Sequence, residues 1–283
     1  GLVGSEMCIR DSYSADADTY NLRIRATIAD ISHSPTKVLA DAFLCKDGLP
    51  LDKSAYQVEY LPGGKEFENR DPRMSLTIWR PGDQFLGKPF VPNLTSQTRT
   101  GYMFKKYGDE ESYSNMKSRI DEILIRYAEV LLTFAEASFE LDDKISDDDL
   151  ELSINALRKR FEGHPNQLPP LTNAFVEEHG LSMRDEIRRE RRVELAAESF
   201  RYDDIIRWKT AEIELPTAIL GAKFDAELYP STVPGKDVIL DKNGFILVQS
   251  AESRTFDSSK HYLFPLPLRE VSLNPALMQN PNW

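Results

Sequence analysis

Glu190, Glu194 and Glu198 recur at every fourth position of ERRVELAAESFRYDDIIRW, residues 190–208. On one continuous helix that spacing stacks the carboxylates on a single face, with Cβ atoms roughly 5–6 Å apart. Two acids about 5–5.5 Å apart are the equipment of a retaining glycosidase, one protonating the leaving oxygen while the other attacks the sugar. The proton donor must carry a raised pKa, which requires apolar burial or an unrelieved like charge. Arginine crowds this stretch instead. Arg191 stands near Glu194, Arg201 near Glu198, and Asp203 with Arg207 and Asp185 with Arg189 add i,i+4 pairs. Such cations keep carboxylates ionised, so the pattern predicts a charge ladder that clamps neighbouring elements, each exposed pair contributing only ~0.3–0.5 kcal/mol and a buried network more.

No other chemistry competes with the ladder. His33, His164, His179 and His261 are scattered outside any H-E-x-x-H or Cys/His cluster, so no metal site is expected and each reads as a surface or core histidine. A G-x-S-x-G elbow, a P-loop and a dinucleotide fingerprint are all absent, and no cofactor is expected. Asp147, Asp148 and Asp149 lack the glycine and final glutamate of a calcium loop and suit a helix N-terminus.

The elements that must hold these residues follow from periodicity and turn chemistry. Leu22, Ile24, Ala26 and Ile28 alternate like a strand. Residues 44–117 are rich in Gly, Pro, Asp and aromatics and read as loops with short strands. One of these strands is MSLTIW, in which Met74, Leu76 and Ile78 share a face. Residues 118–210 read as helical, with starts at Ser118, Ser146 and Ser182, each followed three residues later by aspartate. Ile120, Leu124, Tyr127, Leu131 and Phe134 form the core stripe of the first helix, and Leu150, Ile154, Leu157 and Phe161 that of the second. Arg158, Lys159 and Arg160 sit at the negative end of the second helix, and the two helices should pack as an antiparallel hairpin of tetratricopeptide proportions. Ala135-x3-Phe139 recurs as Ala196-x3-Phe200, a two-copy echo that packing in any helical protein also produces. Trp208 reads as core. In residues 211–283, VILDKNGFILV predicts a hairpin turning at Asn243-Gly244, and the proline-punctuated tail should lie extended over the helical body.

The chain has 283 residues, of which 41% are hydrophobic, enough for one large domain or two small ones, and should fold as a soluble globule. A net charge of -11 argues against a nucleic-acid partner. No apolar run approaches the roughly 20 residues that span a bilayer. Residues 1–12, GLVGSEMCIRDS, resemble translated sequencing-adapter read-through and are read as non-native, which leaves 13–283 as the native portion with Cys45 its sole cysteine. Any export signal or lipid-bearing cysteine would then lie upstream of this chain.

Longer stretches carry a resemblance. IRRERRVELAAESFRYDDIIRWK resembles the signature helix of the SusD/RagB family of outer-membrane nutrient-binding lipoproteins of Bacteroidota. ILIRYAEVLLTFAEA, INALRKR, CKDGLPL, NRDPRM and YLFPLPLREVSLNPALMQNPNW resemble further family segments in the same order. The resemblance covers residues 45–283 and matches only the C-terminal portion of family members, which are longer. Ala197 and Ser199 stand where the family usually has a bulky apolar residue and glycine. It implies a mainly α, SusD-like fold of tetratricopeptide-like hairpins, an irregular loop-rich region and short β-hairpins. It further implies non-catalytic capture of glycans or peptides at the cell surface and delivery to a SusC-type TonB-dependent transporter, through a protein lipid-anchored to the outer membrane. The family has no fixed ligand motif. Tyr60, Arg73, Trp79 and Tyr102, from the loop half, are therefore chosen on physical grounds as carbohydrate contacts: rings stack on sugar C–H faces and guanidinium binds hydroxyls. Two other readings stay open: a helical-repeat adaptor for protein partners, and a glycosidase using Glu194 and Glu198.

Overall fold

The computed structural model describes residues 8–11, 33–94, 98–108, 110 and 121–283. The expected strand at 22–28 and the expected helix start at Ser118 lie outside them. In chain order come β1 (Cys8–Asp11), α1 (Lys37–Ala42), α2 (Pro72–Thr77), β2 (Gln84–Phe85), β3 (Lys88–Pro89) and β4 (Glu122–Arg126). Then follow α3 (Tyr127–Asp142), α4 (Asp147–Leu152), α5 (Ile154–Arg158), α6 (Asn173–Glu178) and α7 (Met183–Glu194). α8 (Arg201–Arg207), α9 (Ala211–Glu214), β5 (Ile219–Lys223), β6 (Phe245–Gln249) and α10 (Leu268–Leu273) complete the order. Helix exceeds strand by 36% to 11%, and the fold is mainly α. The strands described form three separate antiparallel pairs, β1 with β4, β2 with β3 and β5 with β6. Two-stranded ribbons are marginal alone, so the helices must carry the core.

They do so around α3. Its Ala128, Leu131, Leu132, Ala135 and Phe139 meet Leu150, Ile154 and Leu157 of α4 and α5, and Met183 and Ile187 of α7. A second core joins α1, α2 and the end of α7 through Ala40, Phe43, Met74, Ile78, Tyr102 and Val193. α7 therefore lies between the helical and loop-rich halves, with apolar residues directed to both.

Ser146 and Ser182 open helices as their spacing predicts: their hydroxyls accept from the amides of Asp149 at 3.1 Å and Asp185 at 3.3 Å. Other expectations are corrected. Residues 122–126 are strand, because Ile123 and Ile125 pair with β1, and the helix begins only at Tyr127. Leu124, Tyr127 and Phe134 are consequently exposed, and the alanine-bearing face is the one that packs. The second helix is split at Ser153, whose φ of -116° and ψ of -92° leave the helical region and whose hydroxyl donates to the Asp149 carbonyl. MSLTIW is not a strand. Asp71 caps the Arg73 amide and Pro72 takes the first helical position, so Met74 and Ile78 are buried at helical spacing while Leu76 is exposed.

The third helix stops at Glu194, because Ala197 and Ser199 adopt φ of 66° and 68°. Glu198 therefore leaves the helix that carries Glu190 and Glu194. A non-glycine residue in this region is strained, and Ser199 is exposed. Ser199→Gly is expected to stabilise the fold by about 1 kcal/mol, read as a higher urea midpoint with an unchanged slope.

Near the end of the chain, Gly244 takes the positive φ of 81° that the predicted turn needs and Leu240 bridges Ile246. The regular partner of β6, however, is β5. The tail forms α10 and ties to itself, Gln279 bonding the Leu266 amide at 2.7 Å and carbonyl at 2.8 Å, while Tyr262 and Phe264 meet Lys209 and Tyr202 of the helical half.

Candidate functional site

The charge ladder is buried and its partners come from elsewhere in the chain. Glu190 is 1% exposed and Glu194 5%. Arg73 of α2 donates to Glu190 at 2.8 Å and Glu194 at 3.2 Å, while its other nitrogens bind the Asp71 carboxylate at 2.7–3.1 Å. Arg158 of α5 binds the second Glu190 oxygen, its Nε at 2.7 Å, and Arg160 donates to Glu194 at 2.5 Å. Arg126, ending β4, grips Glu194 at 2.8 Å and Glu198 at 2.7 Å. Lys106 reaches Glu198 and donates to the Glu194 and Ala196 carbonyls at 2.8 and 3.1 Å. Together with Arg126 Nη2, 2.7 Å from the Glu194 carbonyl, it satisfies the orphan acceptors at the end of α7.

The pairs expected within the segment are not the ones made. Arg191 binds Asp204 at 2.9 Å, Arg201 binds Glu214, Arg207 binds Glu136 and Asp204, and Arg189 binds Glu186. Local spacing finds the acids but misses their partners.

Electrostatics follows this geometry. Burial by itself would raise all three carboxyls, but the guanidinium groups outweigh it. Arg158 and Arg73 hold Glu190 below the usual carboxylate range, Arg160, Arg73 and Arg126 hold Glu194 far below it, and Arg126 with Lys106 lowers Glu198. None of the three is a proton donor near neutral pH. Among the described residues no group of three or more His, Cys, Asp or Glu is arranged to hold a metal ion.

The four residues chosen as carbohydrate contacts do not converge. Arg73 is 5% exposed and committed to the network, which corrects its reading as a ligand contact. Tyr102 is 2% exposed and its hydroxyl donates to Glu66 at 2.7 Å, so it too is internal. Trp79 is buried with Phe85, Phe90 and Met103, with the Lys105 ammonium 4.6 Å from its ring. Tyr60 alone keeps a partly open ring, set edge-on to Phe245 at 5.0 Å and flanked by Lys37. Trp208 is half-buried, not core: its Nε1 donates to Glu136 at 2.6 Å and arginines cover its ring.

Comparison with protein families gives a match to the SusD family model over residues 9–283. The chain belongs to the SusD family. Among solved structures it is similar to a SusD-like carbohydrate-binding protein from Bacteroides fragilis, with 28% identity and a TM-score of 0.72 over 94% of this chain and 53% of that one. A second SusD-like protein from the same species matches with 25% identity and a TM-score of 0.66, over 99% of this chain and 55% of that one. The SusD-family chain described here thus spans about half the length of these structures. Comparison with curated proteins gives no match.

The SusD-like loop motifs now have a physical role. In CKDGLPL and NRDPRM, Cys45 bridges Arg70, the Lys46 amide binds the Asn69 carbonyl at 2.8 Å and the Asp71 amide binds the Leu44 carbonyl at 2.8 Å. Arg70, 1% exposed, donates to the Ala40 and Phe43 carbonyls at 2.7 and 2.8 Å. The two motifs knit together and set Asp71 and Arg73 beneath α7.

Proposed function

We propose that this SusD-family chain captures a glycan at the cell surface without altering it, as part of a longer lipid-anchored protein that delivers the ligand to a SusC-type TonB-dependent transporter in the outer membrane. The family match supports the binding role, as does the similarity to a protein described as carbohydrate-binding. One observation speaks against a glycosidase using these acids: each ladder glutamate is neutralised by two or more cations in a closed network. Among the described residues no helix is long and apolar enough to cross a membrane.

Of the chosen contacts, Tyr60 has the ring best placed to stack on a sugar. Calorimetry against glycans selected from an array should show Tyr60→Ala weakening binding about tenfold, the size of one aromatic contact. Equal affinities would remove Tyr60 from the ligand surface. Failure of the wild-type chain to bind any polysaccharide or peptide would sink the reading itself, and co-purification with a TonB-dependent barrel tests the delivery step.

A further inference from the structure

On the face of α7 turned away from the ladder, Arg188, Arg189 and Arg192 share a cavity of about 270 Å³ with Arg201, Trp208 and Glu214. The basic side chains are unequally employed. Arg189 binds Glu186, Arg201 binds Glu214, and Arg188 lies 3.5 Å from Glu140. Arg188 Nε is nonetheless buried without a hydrogen-bond partner among the described residues. The Arg192 guanidinium makes no hydrogen bond or ion pair among them, and burial beside Arg201 pushes its pKa down to about 10. Arg188 and Arg192 are one helical turn apart and both line this cavity.

A guanidinium fork without a partner matches an oxyanion, carboxylate or sulfate, with two parallel N–H donors. The cavity is far larger than the ~30 Å³ share of one water, leaving room for a ring carrying the anion. Arg192 and Arg201 also line an adjoining cavity of about 340 Å³ whose walls include Leu39, Phe104 and Phe200. A ligand seated by its anion on Arg192 can therefore extend beyond a single ring.

We propose that this arginine cavity is a subsite for an acidic sugar, a uronate or a sulfated residue, whose anionic group is held between Arg188 and Arg192. The assignment rests on the glycan-capture reading and narrows its ligand class to include acidic glycans.

The test is titration of the full 283-residue chain with glucuronate, galactose 6-sulfate, glucose and inorganic sulfate, followed by calorimetry and tryptophan fluorescence. At least one acidic sugar should bind tenfold or more tightly than glucose, with affinity falling as NaCl rises. The arm that binds identifies carboxylate or sulfate ester as the group held. Arg192→Gln and Arg188→Gln should each lose that binding by tenfold or more. Arg192→Gln should melt no lower than wild type, since it removes a cation from a like-charged cluster. Acidic sugars binding no better than glucose, binding unchanged in Arg192→Gln, or uptake of inorganic sulfate alone would each overturn the assignment. Neutral-glycan binding that persists through such a failure leaves the capture role standing, whereas loss of all glycan binding removes both.

Discussion

Glu194→Gln is expected to destabilise the fold by about 3–5 kcal/mol at pH 7, the cost of breaking a buried ion pair from one side. Arg73, Arg126 and Arg160 all point at this carboxylate, and the amide that replaces it offers them no charge. Urea denaturation monitored by circular dichroism reads the effect directly. The pH dependence has a definite sign. The folded-state pKa of Glu194 is depressed, so its stabilisation is fully present above the unfolded value near 4.5 and is lost as pH falls below it. The gap between wild type and Glu194→Gln should accordingly be widest at neutral pH and shrink in acid. Neither protein should hydrolyse glycosides. A variant as stable as wild type, or wild-type hydrolysis that Glu194→Gln abolishes, would show that the ladder is doing something other than holding elements together.

Glu66→Gln should act in the opposite direction. Burial pushes the Glu66 carboxyl up to about 7, against the pull of the Tyr102 hydroxyl and Arg70, with Asp41 adding to the rise. A folded-state pKa above the unfolded one means that its contribution to stability is greatest below about pH 4.5 and is lost as pH rises to about 7. The loss amounts to about 3 kcal/mol. A neutral glutamine of the same shape still accepts from Tyr102. Glu66→Gln is therefore expected to be more stable than wild type by up to about 3 kcal/mol at pH 8 and equal to it at pH 4. Parallel stability curves across that range would mean the carboxylate is better solvated than its 4% exposure implies.

What could be read from the sequence was local. Serine with aspartate three residues on is a self-contained signal, and the starts after Ser146 and Ser182 follow it. The family motifs are long enough to name the fold class. The partners of the ladder were out of reach because they stand 32 to 121 residues from the glutamates they bind, and i,i+4 reasoning sees only one helix. Arg158 and Arg160 read as cations at a helix end, with nothing local to show that they also reach across to α7. Arg73 reads as a ligand contact because D-P-R has the look of a turn in the loop-rich half. The missed signal is Asp71 followed by Pro72, an N-cap and a first-position proline that together announce a helix. The break after Glu194 had no signal in residue type, since alanine and serine rarely adopt positive φ, and only the glycine usual at position 199 in the family hinted at it.

Arg73 belongs by sequence to the loop-rich half and by its ion pairs to α7. Withdrawing α2 from its neighbour would break two buried ion pairs at once, Arg73 with Glu190 and with Glu194, so neither segment has a cheap way to open by itself. Amide protons of α2 and α7 should then exchange with deuterium as one cooperative unit. On the glycan-capture proposal, coils rooted on such a base would reach a sugar already shaped, with little entropy left to lose on docking.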